Sequence, residues 1–147
     1  MTKEETLEAM ENIRNYHEQG MFEIGNLVKG REVEEPVPVF KHQCEFGIWL
    51  YAKNNHVMEI LGDQFFHNLE SIHTEWHMSY HKIHQIFYKE KKKGFFASLL
   101  ASHKVDAMEL DKAKLYYTEL EQVTKVLLAS LASSQRRVHA MSENRFH

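Results

Sequence analysis

Four residues of this chain have the types and the spacing of a metal site. His73 and His77 lie four positions apart, and a helix with 3.6 residues per turn places such a pair on one face. Cys44, the only cysteine, lies upstream of the pair, and His17 interrupts an apolar pattern nearer the N-terminus. We predict that these four side chains bind one metal ion.

Zinc is the metal that this ligand set favours. One thiolate and three imidazoles suit a four-coordinate, tetrahedral zinc site. Copper(II) binds such ligands more tightly in principle, but copper is scarce in the cytoplasm, and a mixed nitrogen and sulfur set without carboxylates suits zinc. A site with four protein ligands has no open position for a catalytic water. We therefore expect a protein that is not an enzyme.

Helices must position these ligands. The sequence has only two prolines, contains no strand-like segment and repeats its apolar residues with helical spacing. We predict a helix that Thr2 or Thr6 caps and that stops near Gly30, a loop over 29–39, and helices over about 40–54, 63–92 and 104–142, with a short apolar turn or helix over 95–100. The predicted fold is all-α: an antiparallel four-helix bundle with a short cysteine-bearing helix and a long C-terminal helix.

The predicted helix over 63–92 carries several histidines on its buried face. Rotation by about 100° per residue from His73 places six residues within about 40° of it: Phe66, Leu69, His77, Tyr80, His84 and Phe87. His81 falls about 80° away by the same rotation, at the edge of this face. A buried imidazole needs partners for its nitrogen atoms, and a shared metal ion would supply them.

The predicted helix over 40–54 should present Cys44 to the core. Phe40, Ile48 and Tyr51 share a face with it in helical register. Gly47 lies one turn from Cys44, and a glycine within a helix costs about 1 kcal/mol relative to alanine. We infer that the close approach of another segment requires the glycine.

The composition restricts the class of protein. A length of 147 residues predicts a single domain, 1–147, with the bundle core at about 3–128 and a helical extension or tail over 129–147. The net charge of −3 argues against a nucleic-acid binder, and no apolar run is long enough for a membrane span. The absence of an apolar signal region and the single cysteine predict a cytoplasmic protein.

The segment 44–49, Cys-Glu-Phe-Gly-Ile-Trp, resembles the signature of the chemoreceptor zinc-binding domain family. In that family a pair of histidines four apart follows some twenty-odd residues after the aromatic residue, and here 23 residues separate Trp49 from His73. Phe66 and Leu69 precede His73 in the family's register. The resemblance covers most of the chain and implies that His73 and His77 are the histidine pair.

The family also has a histidine well upstream of the cysteine, and His17 lies 27 positions before Cys44. A large apolar or aromatic residue usually follows that histidine within a turn, whereas Gln19-Gly20 stands there in this chain. His42 is the nearest alternative as fourth ligand, although on a helix it would point away from the thiol. His81, which pairs with His77 at the same spacing, is an alternative outside the register of the family.

The resemblance implies a regulatory domain that binds zinc with high affinity. Members are cytoplasmic four-helix bundles attached to chemoreceptors or to diguanylate cyclases, and dimers are described for the cyclase type. In some members the cysteine ligand reacts with oxidants such as hypochlorous acid. This chain has no room for a cyclase or a signalling coiled coil, so we expect a stand-alone sensor or an excised domain that contacts such a signalling protein, with a homodimer as a further expectation.

Three other functions are compatible with the residues. A hemerythrin-like di-iron oxygen carrier is also a histidine-rich helical bundle, but its HxxxE motif precedes the histidine pair, whereas the HxxxE here, from His139 to Glu143, follows it. An enzyme would need a water in place of one ligand and a base such as Glu70 or Glu75. A metal-free helical adaptor would have its histidines packed or exposed incidentally.

Overall fold

The computed structural model of the protein describes residues 1–88 and 105–146, and the described residues form helices and no strand. The helices are α1 (Lys3–Val28), α2 (Glu45–Tyr51), α3 (Val57–Leu61), α4 (Asp63–Phe87) and α5 (Ala107–Ala140), with short 3-10 helices at Lys53–Asn55 and Glu143–Arg145. The predictions of an all-α fold and of a long C-terminal helix are confirmed. The predicted helix end over 88–92 lies mostly outside the described residues, and so does the predicted apolar segment over 95–100.

The first helix begins at a capping box. The Thr2 hydroxyl accepts a hydrogen bond from the backbone N–H of Glu5, at 3.1 Å, and the Glu5 carboxylate accepts one from the backbone N–H of Thr2, at 2.7 Å. Thr2 is therefore the cap, rather than Thr6. The helix ends at Val28, and Gly30 follows with a φ of +86°, a backbone conformation that favours glycine.

The long helix α5 runs antiparallel to α1. Lys3, at the start of α1, donates to the carbonyl oxygen of His139, near the end of α5, at 2.8 Å. Tyr117, early in α5, donates to the carbonyl oxygen of Met21, late in α1, at 3.3 Å. These contacts place the two helices side by side over most of their lengths.

The same helix also runs antiparallel to α4. The Asn68 amide donates to the hydroxyl of Ser130 at 3.0 Å, and the indole N–H of Trp76 donates to the hydroxyl of Thr124 at 2.8 Å. Because α5 is antiparallel to both partners, α1 and α4 run in the same direction. Residues 29–62 must therefore return the chain from the end of α1 to the start of α4.

This return is not the single helix predicted over 40–54. The helix α2 has only seven residues, and Cys44 is its N-cap, with a side chain that accepts the N–H of Gly47. Cys44 is buried and Tyr51 half-buried, but Phe40 and Ile48 are each 59% exposed, so the prediction that these four share one buried face is wrong. The reason is that the chain turns before Cys44 and enters a helix only after it. The described part thus has three long helices, and short helices interrupted by turns form the connection between α1 and α4. The predicted four-helix arrangement is not confirmed.

The helix α4 buries a wider face than predicted. Its buried residues are Phe66, Leu69, His73, Trp76, His77, Ser79, Tyr80, Ile83 and Ile86. Trp76 lies between α5 and α1, with its indole N–H on Thr124 and its ring centroid 4.9 Å from that of His17, whereas His73 faces Cys44 at the start of α2. A helix that packs against neighbours on two sides buries more than one apolar stripe, and His81 remains exposed, as expected at the edge.

The helix α5 stays packed almost to its end. Leu131, Ser134 and Val138 are buried, and Lys3 donates to the carbonyl oxygen of Met141 at 2.9 Å. The part of α5 from Leu131 to Val138 therefore lies against the other helices.

Candidate metal centre

The four predicted ligands lie together in the interior. One ligand atom from each of His17, Cys44, His73 and His77 lies within 4.8 Å of all the others, and all four residues are buried. His17 comes from the middle of α1, Cys44 from the start of α2, and the other two from adjacent turns of α4. Three segments that are distant in sequence thus meet at one point.

The thiol of Cys44 lies in a polar pocket made by its own turn. Its Sγ atom is 3.2 Å from Nε2 of His73 and accepts the backbone N–H of Gly47 at 3.3 Å. As a thiol it donates to the carbonyl oxygen of Lys41 at 3.4 Å. Burial raises the pKa of Cys44, although the N–H of Gly47 opposes the shift. Without a metal ion the buried sulfur is therefore protonated at neutral pH.

Two of the histidines each have one nitrogen directed to a backbone carbonyl and the other without a partner. Nδ1 of His77 lies 3.0 Å from the oxygen of Val39, and Nδ1 of His17 lies 3.4 Å from the oxygen of Ile13. A proton on Nδ1 makes each contact a hydrogen bond and leaves a lone pair on Nε2. Both Nε2 atoms are buried and have no hydrogen-bond partner. This is the usual arrangement of a histidine that binds a metal ion.

The third histidine, His73, is held by stacking. Its ring lies on the ring of Phe46 with centroids 4.3 Å apart and an angle of 20° between the planes. Nε2 faces the sulfur of Cys44, whereas Nδ1 is buried without a partner. The aromatic residue two positions after the cysteine thus orients the histidine that faces the cysteine.

The three imidazoles are neutral at pH 7. Burial and, to a smaller extent, the nearby His77 lower the pKa of His17 to about 4. Burial also lowers the pKa of His77 to about 4 and that of His73 to about 2. A neutral imidazole is the form that binds metal ions. Because these imidazoles are not protonated at pH 7, they keep lone pairs available for a metal ion.

These residues fit a zinc ion. Buried nitrogen atoms without partners are rare in folded proteins because their desolvation is costly, and a shared cation would provide the missing interaction. The distance of 3.2 Å between Cys44 Sγ and His73 Nε2 is close to the roughly 3.5 Å that separates two ligand atoms of a tetrahedral zinc site. One thiol and three imidazoles without a carboxylate are also the ligand chemistry that zinc favours.

Gly47 has the close contact that the sequence predicted. A Cβ atom at this position would collide with the backbone carbonyl of Lys41, so only glycine allows the turn that aims the thiol at His73. Gly20, which departs from the family's pattern, has a similar role because a Cβ there would lie 2.7 Å from Val37. The glycine makes room for the segment that follows α1.

Sequence reasoning did not predict how the loop is attached to α4. Residues 33–39, here called the strap, lie along α4, and alternate strap residues bind three side chains of α4 and the side chain of Tyr88, its C-cap. The pairs are Tyr88 with the oxygen of Val33 (2.7 Å), His84 with the carboxylate of Glu35 (2.8 Å), Tyr80 with the oxygen of Val37 (2.7 Å) and His77 with the oxygen of Val39 (3.0 Å). Two residues of an extended chain would advance about 6.6 Å and four helical residues about 6 Å, so alternate strap residues can reach side chains three or four positions apart even though the strap bends at residues 36, 37 and 39. The Tyr and His residues at intervals of three or four were the available signal.

The alternative ligands and bases lie outside the cluster. His42 is exposed, with its ring centroid 4.5 Å from that of Tyr51, and His81 is exposed. Glu75 is exposed, and Glu70 accepts hydrogen bonds from other side chains. Within residues 1–88 and 105–146, no second group of three or more potential ligands is present. A di-iron site would need more ligands than these four, so the described residues do not supply one.

Comparison with known families agrees with this geometry. The chain matches the model of the chemoreceptor zinc-binding domain over residues 9–84, a span of just over half its length that contains all four clustered residues. Neither curated proteins nor solved structures give a significant match. Among the described helices, none has the length and apolar character needed to cross a membrane. On the strength of the family match, this chain belongs to the chemoreceptor zinc-binding domain family.

Proposed function

We propose that this protein is a zinc-binding regulatory domain in which His17, Cys44, His73 and His77 bind one Zn²⁺ ion. The observation that carries the proposal is the buried cluster of one thiol and three imidazoles, two of which direct a partnerless Nε2 atom into the interior. Membership of a zinc-binding family supports the choice of metal. When bound, zinc would cross-link three segments and hold the cysteine as a thiolate.

Cys44 is the ligand through which we expect a signal to act. The three histidines lie on helices of 25 and 26 residues, whereas the cysteine caps a helix of seven. Loss of the thiolate by zinc removal or by oxidation would release α2 from α4. Zinc binding contributes on the order of 10 kcal/mol in small domains, which exceeds the roughly 5.5 kcal/mol needed to invert a two-state equilibrium. The domain would therefore sense zinc and, through its cysteine, oxidants.

We further propose a cytoplasmic signalling context. The family is named for chemoreceptors, which supports a signalling protein as partner. We propose a chemoreceptor or a diguanylate cyclase module as that partner. In this proposal the whole chain forms an antiparallel four-helix bundle, for which the antiparallel packing of α5 against α1 and α4 is the support. Homodimerisation belongs to the same proposal. With four protein ligands there is no open coordination position, so the proposed role is regulatory and not catalytic.

Metal analysis of the purified protein tests the zinc site. We expect one zinc per chain in the wild type, and loss of stoichiometric zinc in Cys44→Ala and His17→Ala. His42→Ala and His81→Ala are matched controls because both side chains are exposed and lie outside the cluster. Unchanged zinc affinity and stoichiometry in Cys44→Ala would show that the ligand assignment is wrong.

A further inference from the structure

Lys41 contacts both the cysteine turn and the helix that carries two of the histidines. Its backbone carbonyl accepts the thiol of Cys44 at 3.4 Å and lies directly against Gly47. Its ammonium group donates to the carboxylate of Glu70 at 3.1 Å and to the hydroxyl of Thr74 at 2.9 Å, both on α4. One residue therefore joins the turn before the thiol to α4.

Tyr51, the last residue of α2, binds the same carboxylate. Its hydroxyl donates to Oε1 of Glu70 at 3.1 Å, the oxygen that Lys41 also contacts. The Lys41 ammonium lies 5.7 Å from the centroid of the Tyr51 ring. The carboxylate is thus bound from both sides of Cys44 in sequence. We call Lys41, Tyr51 and Glu70 the clamp.

The position of the clamp on α4 relates it to the candidate ligands. Glu70 precedes His73 by three residues, or about one turn. The segment 41–51 is therefore attached to α4 one turn before the imidazole that Cys44 faces at 3.2 Å. A segment fixed at both of its ends has little freedom to shift the sulfur along α4.

The clamp is charged and partly shielded from water. Burial alone would raise the pKa of Glu70, but hydrogen bonds from Lys41 and Tyr51 bring that pKa below its ordinary value. The side chains of Lys41 and Glu70 are 26% and 31% exposed. An exposed ion pair contributes little to stability. The pair of Lys41 and Glu70 is instead part of a hydrogen-bond network that also includes Tyr51 and Thr74.

We propose that the clamp positions Cys44 for zinc, with Lys41 as the central positioning residue. This inference rests on the proposed zinc site. Without the clamp, the four ligands and the zinc stoichiometry are retained, but the cysteine turn separates from α4 more often. Zinc then leaves faster, and the thiol of the zinc-free protein becomes more accessible.

The chain provides a matched control pair. Lys82, also on α4, lies 3.6 Å from the carboxylate of Glu119 and 5.4 Å from the centroid of the Tyr116 ring. It thus makes the same two kinds of interaction as Lys41, but toward α5 and away from the cysteine. Its side chain is 53% exposed, against 26% for Lys41, so Lys82→Met removes a more exposed cation beside a carboxylate and an aromatic ring without affecting the clamp.

Two rates in the 147-residue chain test the clamp. They are the transfer of zinc from the loaded protein to a chelator, and the alkylation of Cys44 by iodoacetamide in the zinc-free protein. We expect Lys41→Met, Glu70→Gln and Tyr51→Phe to lose zinc on the order of 10-fold faster than the wild type, as is common for residues that support a metal ligand. Alkylation should become several-fold faster in the same variants. Lys82→Met should stay within about twofold of the wild type in both rates, and Lys41→Arg should restore part of the difference.

The outcomes separate the two proposals. If the clamp variants matched Lys82→Met in both rates, the proposal that the clamp positions Cys44 would be wrong. If the wild-type protein bound no zinc, the proposed function would fail, while faster alkylation of the clamp variants would still support the clamp. Unfolding midpoints of the zinc-free variants measure any general loss of stability, so that a faster rate that only follows a lower midpoint can be recognised. Tyr51→Phe removes a single hydroxyl group and keeps the test decisive if the other substitutions unfold the protein.

Discussion

The Nδ1 atom of His77 lies 3.0 Å from the backbone carbonyl oxygen of Val39. This contact ends the series of strap bonds on α4 and at the same time orients a candidate zinc ligand. Any movement of the strap near Val39 would alter the hydrogen bond that leaves the Nε2 lone pair of His77 free. The strap and the candidate metal site are therefore parts of one packed unit.

Tyr80→Phe should destabilise the protein by weakening the strap. Its hydroxyl is buried and donates to the carbonyl oxygen of Val37 at 2.7 Å, so the substitution leaves a buried acceptor without a partner. We expect a loss of about 1–3 kcal/mol in the free energy of unfolding, measured by urea denaturation of the zinc-free protein. The control is Tyr117→Phe, whose half-buried hydroxyl makes a longer bond of 3.3 Å to Met21 and should cost less. Equal losses in the two variants would contradict this role of the strap.

Gly47→Ala should disrupt the cysteine turn. The added methyl group would meet the backbone carbonyl of Lys41, which cannot move without displacing Cys44. Alanine normally stabilises a helix by about 1 kcal/mol relative to glycine, so a net loss of stability together with weaker zinc binding would identify the collision. Urea denaturation and zinc competition measure the two effects.

Gly25→Ala is the control for that substitution. Its nearest contact would be the hydroxyl end of the Tyr117 side chain, at 3.0 Å, and a side chain can rotate away where a backbone carbonyl cannot. We expect this variant to bind zinc like the wild type. A Gly47→Ala protein that is more stable than the wild type and binds zinc with the same affinity would refute the predicted collision.

The zinc-free protein should lose stability as the pH falls from about 6.5 to about 4. An unfolded histidine has a pKa near 6.5, whereas burial lowers the pKa of His17 and His77 to about 4 in the folded state. Between these values the unfolded chain binds more protons than the folded protein, so acid favours unfolding. Each pKa unit of difference corresponds to about 1.4 kcal/mol per histidine.

Urea denaturation in the presence of a chelator at several pH values measures this dependence. His17→Leu should reduce the slope of stability against pH, because one buried titrating group is removed. His42→Ala, with an exposed side chain, should leave the slope unchanged. An identical slope in His17→Leu and the wild type would argue against a neutral, buried His17 in the folded protein.

Zinc removal should loosen the cysteine turn more than the long helices. Zinc that binds only the folded state stabilises it by about 4 kcal/mol at a free concentration 1,000 times the dissociation constant, so chelation should lower the unfolding midpoint. Hydrogen exchange should accelerate in residues 41–51 and change little in the middle of α5, which holds no candidate ligand. Uniform acceleration throughout the described helices would instead indicate that zinc stabilises the fold as a whole.

The sequence by itself was sufficient for the all-α class, the long C-terminal helix, the family and the four residues that meet in the core. These properties depend on local spacing: the i, i+4 pair defines a helix face, and the segment 44–49 carries a compact motif. The steric need for Gly47 was also predictable, because a glycine within a helix is unfavourable unless another atom occupies the space of its Cβ.

Only the tertiary structure decided how Cys44 is presented and what holds it. The sequence pattern placed the cysteine inside a helix, but contacts with Lys41 and Gly47 make it an N-cap. The strap and the clamp join residues between 19 and 55 positions apart, and local periodicity has no information about such pairs. The packing of α4 against neighbours on two sides likewise buries Trp76, which lies outside the predicted stripe.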